Sequence, residues 1–108
     1  MSDRDDGLYV HHILDAISLI GDFLVGKSQE RFFQDPLLQS GVAYQLQIIG
    51  EAAAHLSSAF LIQHADMPWG DIIAMRHKIV HDYSGLDVEV LWTTVAEDLP
   101  SLKDHLSP

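Results

Sequence analysis

The chain contains no cysteine, which excludes disulfide frameworks, thiolate metal sites and cysteine nucleophiles together. It is nearly as poor in cations: six Lys+Arg stand against sixteen Asp+Glu, a formal net charge of −10. A surface that tracks phosphates indiscriminately needs clustered cations, so only a small local basic pocket stays open. No apolar run is long enough for a membrane span, because the most apolar stretch, 41–62, carries Gln45, Gln47, Glu51 and His55. Met1-Ser2-Asp3-Arg4-Asp5-Asp6 also lacks the basic-then-apolar pattern of a secretion signal. The expectation is a cytoplasmic domain.

What is present is apolar and helical in period. With 108 residues, 47% of them hydrophobic, the chain reads as one domain over 1–108, with 1–5 a flexible N-terminus. Ile13, Ile17, Ile20 and Leu24 form a stripe beside a polar face of His11, Asp15, Ser18 and Asp22, predicting a helix over roughly 6–25 that stops at Gly26. Ser28 caps a short turn through Phe33. Asp35-Pro36 pairs an N-cap with proline at the first helical position and opens a second helix running to about Gln63. The stripe Val42, Leu46, Ile49, Ala53, Leu56, Phe60 and its neighbour Gly41, Gln45, Ile48, Ala52 make that helix apolar on more than one side, as in a central helix or a subunit interface. Pro68 opens a third helix that ends at Ser84-Gly85. Asp87 caps a fourth, and Pro100 begins a short last one. The fold class is therefore all-α, an antiparallel four- to five-helix up-and-down bundle, and its excess apolar surface predicts a dimer.

The third helix concentrates the chemistry. Residues 75–83, Met-Arg-His-Lys-Ile-Val-His-Asp-Tyr, hold Arg76, His77, Lys78, His81 and Tyr83. Arginine's planar fork suits a phosphate and stabilises charge developing on phosphorus, and histidine exchanges a proton near neutral pH. RNA carries its own nucleophile in the 2′-hydroxyl, so cleavage needs a base, an acid and a charge stabiliser but no metal. On one continuous helix Arg76 and His81 would point about 140° apart, converging only through the long arginine side chain or across a dimer axis. The plainer reading is that the arginine simply pairs with a carboxylate such as Glu51. His77 and His81, like Glu51 and His55, have metal-ligand spacing at i, i+4, but no firm third ligand completes a site; the reading is no metal and no cofactor. Trp69 and Trp92 read as core aromatics, and His11, His12, His64 and His105 as surface or helix-face residues.

Arg76, four residues, His81, one residue and Tyr83 resemble the Arg-x4-His-x-Tyr motif of the HepT family of HEPN-domain proteins. Ile48-Ile49-Gly50-Glu51-Ala52-Ala53 resembles the family's central helix, residues 68–76 its approach to the motif, and Asp87 to Leu102, with Trp92 and Asp98-Leu99-Pro100, its C-terminal end. The resemblance covers nearly the whole chain from Leu8 onward. It implies a helical homodimer with both motifs facing one cleft, acting as a metal-independent endoribonuclease toxin of a type VII-like toxin–antitoxin pair. Arg76 and His81 would be catalytic, with His77, Lys78 and Glu51 in support. Tyr83 would receive AMP from a cognate nucleotidyltransferase antitoxin, from a fraying last helical turn or against the other subunit's cleft. An AMP ester there would place charge and bulk where the RNA phosphate must sit. Two other classes stay open on the residues alone: a non-catalytic nucleotide- or partner-binding subunit of a nucleotidyltransferase complex, and a metal-binding bundle using His77, His81, Glu51 and His55.

Overall fold

In a computed structural model, residues 5–78, 80, 81 and 85–107 are described. Helix α1 (Asp6–Leu24) starts where the Asp5 carboxylate accepts the Leu8 N–H, and it stops before Gly26, whose φ of 73° suits a residue without a Cβ. The short α2 (Gln29–Phe33) is capped by Ser28, and α3 (Pro36–Ala54) by Asp35 with proline in its first turn. These starts agree with the sequence signals.

α1 and α3 lie antiparallel. Phe23, near the end of α1, packs against Gly41 near the start of α3, while Tyr9 stacks on His55 at the opposite ends. Between them Ile13, Ile20, Val42, Leu46 and Ile49 are 0–1% exposed, joined by Phe32 from α2. Each such side chain contributes roughly 1.5–3 kcal/mol by leaving water.

The second predicted helix is in fact two. α3 ends at Ala54, and α4 (Ser58–Gln63) begins after Ser57. Ser57 accepts the Phe60 N–H, while its own N–H and hydroxyl donate to the Asp6 carboxylate of α1, at 2.8 and 2.7 Å. The apolar period runs on through this break because Leu56 remains core. A partner 51 residues away in sequence imposes the stop.

α5 (Trp69–Lys78) opens after Pro68, as expected, but ends six residues before the predicted Ser84. Val80–His81 (β1) instead pairs antiparallel with Gly85–Leu86 (β2), Val80 opposite Leu86 and His81 opposite Gly85. The β-branched pair Ile79-Val80 disfavours helix, and Gly85, at φ 109°, takes a backbone conformation closed to most residues.

Asp87 caps α6 (Val88–Thr93), which passes through a π-helical turn (Thr94–Asp98) into α7 (Leu99–Leu106). The wide turn has a local cause: Pro100 cannot donate to the Ala96 carbonyl, and its ring crowds it. Leu91, Leu99 and Leu102 close the core from this side. No helix among the described residues is long and apolar enough to cross a membrane.

Candidate functional site

α5 reaches its place because α3 has a gap in it. A Cβ at Gly50 would lie 3.3 Å from the Ile73 carbonyl oxygen and 3.5 Å from Arg76 Cβ. With a side chain there, the facing backbone of α5 would have to give by a few tenths of an ångström. One position further along α3, Glu51 meets Arg76: the arginine donates from Nη1 to Glu51 Oε1 at 2.7 Å. The Arg76 side chain is 30% exposed and that of Glu51 60%. Arg76 Nε is buried and has no acceptor among the described residues. The guanidinium is thus tethered by one terminal nitrogen, and its other terminal nitrogen makes no hydrogen bond among the described residues.

Of the other sequence-derived candidates, His77 is exposed on α5 beside Arg76, and Lys78 is the last residue of that helix. His81 sits in β1 rather than on the helix. The angular separation of about 140° assumed for a continuous helix therefore does not hold: the chain has turned into a strand pair before His81 is reached. Tyr83 lies outside the described residues.

Glu51 and His55 share a face of α3 but do different things. His55 stacks on Tyr9, ring centroids 5.2 Å apart, with His12 edge-on to the same tyrosine. No group of three metal-capable side chains occurs among the described residues. Trp69 is buried, its indole N–H donating to the His64 carbonyl, and Trp92 packs on Phe32. His64 and His105, read as surface or helix-face residues, are half-buried and joined ring to ring at 2.8 Å, with His64 stacked on Phe60. Sequence reading missed this pair because 41 residues separate its members. It missed the role of Gly50 because only the facing backbone of α5 gives that glycine a purpose.

The class is that of an all-α helical domain holding an arginine–glutamate pair on the seam between α3 and α5. The chain belongs to the Ribonuclease HepT-like family, whose model matches residues 13–108. It is 43% identical over 95 residues to a Thermococcus cleftensis protein named "Probable ribonuclease HepT", covering 88% of this chain and 86% of that one. A protein of Caldanaerobacter subterraneus subsp. tengcongensis, named provisionally as an RNase, is 35% identical over 98 residues, covering 91% and 88%. A Methanocaldococcus jannaschii protein, named as a gamma-glutamylcyclotransferase and provisionally as an RNase, is 33% identical over 103 residues; the match takes in 95% of this chain but 46% of that longer one. No solved structure gives a significant match.

Proposed function

We propose that this protein is a metal-independent endoribonuclease, with Arg76 binding the scissile phosphate and His81 transferring a proton in the reaction. The observation that carries the reading is Arg76 itself. It is a largely buried cation with one end exposed, held at a helix seam in a chain whose family takes its name from a ribonuclease. Arginine at such a place stabilises the charge that builds on phosphorus. A histidine at the adjoining strand pair supplies proton transfer near neutral pH.

The finer reading is a toxin of a toxin–antitoxin pair. It is a homodimer with both motifs on one cleft, silenced when a nucleotidyltransferase antitoxin attaches AMP to Tyr83. His77 and Lys78 support phosphate binding. Leu37 and Tyr44, on one face of α3 and 84% and 61% exposed, supply apolar surface that a second copy would cover.

The test is cleavage of a labelled structured RNA in EDTA, with wild type, Arg76→Ala and His81→Ala purified in parallel. Cleavage by wild type alone is the expected result. Equal cleavage by all three means a contaminant. No cleavage by wild type, from protein whose intact mass shows unmodified Tyr83, replaces the nuclease with a nucleotide- or partner-binding subunit. Sedimentation as a monomer at micromolar concentration would remove the dimer and any composite cleft.

A further inference from the structure

Arg76 accounts for the phosphate and His81 for one proton, but cleavage at a 2′-hydroxyl moves two protons. We propose that Glu51 is the general base of the reaction, an inference that rests on the nuclease reading above. The geometry has three parts. Glu51 Oε1 lies 2.7 Å from Arg76 Nη1, and its side chain is 60% exposed, so it stands at the open mouth of the seam. It contacts the arginine through one nitrogen only, and Nη2 makes no hydrogen bond among the described residues. A phosphate oxygen can therefore take Nη2 at the roughly 2.8 Å of a charge-assisted bond while Glu51 stays in place.

A carboxylate that shares one guanidinium with the scissile phosphate stands beside that phosphate, and a 2′-hydroxyl approaching phosphorus from its side comes within reach of it, as general-base transfer requires. Gly50 fixes this relation, because its missing Cβ sets the approach of α3 to α5. In the step proposed, the 2′-oxygen forms a bond to phosphorus and its proton passes to the Glu51 carboxylate. The bond from phosphorus to the 5′-oxygen breaks, and the His81 imidazolium gives that oxygen its proton. The products are a 2′,3′-cyclic phosphate and a free 5′-hydroxyl. Protonated Glu51 and neutral His81 reset by exchange with water.

A carboxylate that only positioned Arg76 would behave differently on substitution, because Glu51→Gln keeps an acceptor for the Nη1 proton but cannot take a proton from the nucleophile. We expect Glu51→Gln to lower kcat by about 10²–10⁴-fold, the usual weight of general-base catalysis, with KM within a few-fold of wild type. Added formate should restore part of the rate of Glu51→Ala and none of that of Arg76→Ala. A Glu51→Gln protein with wild-type kcat, or a Glu51→Ala protein that formate does not rescue, overturns the assignment while wild-type cleavage leaves the nuclease reading standing. Wild type that does not cleave overturns both.

Discussion

Helix α3 has two seams, and they are built on different principles. Against α1 it packs apolar side chains along its length, and the connection that follows it is fixed by the Asp6–Ser57 hydrogen bonds. Against α5 it uses the absence of a side chain at Gly50 to bring backbone close, and it places a charged pair at the edge. The second seam also leaves Arg76 Nε buried without an acceptor among the described residues, a cost of about 1–3 kcal/mol. The first seam holds the fold. The second gives up stability to hold a cation that stays partly exposed to water, as a binding site would on the proposed function.

Breaking the second seam chemically should have the largest effect. Arg76→Met keeps the aliphatic stem and removes every donor, and on the proposed mechanism it should reduce cleavage by at least ~10³-fold, about 4 kcal/mol of transition-state stabilisation. Its urea midpoint should shift by less than the equivalent of about 1 kcal/mol, since an unsatisfied donor leaves with the charge. A midpoint collapse would mean that both seams are structural.

Leu46→Ala probes the first seam. Leu46 is fully buried, and its truncation should cost about 3 kcal/mol in urea unfolding, with cleavage by the remaining folded protein unchanged. A loss below about 1 kcal/mol would mean the core is loosely packed.

Gly50→Val tests whether backbone approach sets the second seam. Its side chain would meet the Ile72 and Ile73 carbonyls. The substitution should cost about 2 kcal/mol by overpacking and lower cleavage although it touches neither Arg76's charge nor His81. Wild-type activity in this variant would remove the spacing argument.

The smallest effect is expected at Asp6→Ala, which takes both hydrogen bonds from Ser57. About 1–2 kcal/mol should be lost, read as a lower urea midpoint with the helical signal at zero urea retained.

Most helix starts were legible because a cap is a local event: Ser28, Asp35 and Asp87 each accept an N–H three residues along, a relation that spacing alone displays; Asp5, read as part of a flexible N-terminus, caps α1 in the same way. The stops were less so. The break after Ala54 depends on Asp6 reaching Ser57, and the end of α5 depends on strand pairing with Gly85. The first partner lies 51 residues away, and the apolar period carries on across the break at Ser57; the second lies close by, but a two-residue strand pair leaves no periodic signal of its own. The candidate site shows the same division. Arg76, His81 and Glu51 stood out by residue type and motif, and the Arg76–Glu51 pairing was foreseen as one option. The side of the arginine that Glu51 holds, and the side left open, are properties of the packed seam.

By itself the sequence determined the helical class, the core stripes, the caps and the family, since each is encoded in residue type at short spacing. The tertiary structure decided where α3 stops, that His81 leaves the helix, that His64 meets His105, and that Gly50 and Glu51 together set the attitude of Arg76. The stop of α3, the histidine pair and the Arg76 seam each depend on segments distant in sequence that meet through burial of the shared core, and the departure of His81 depends on a short strand pairing; no local period carries that information.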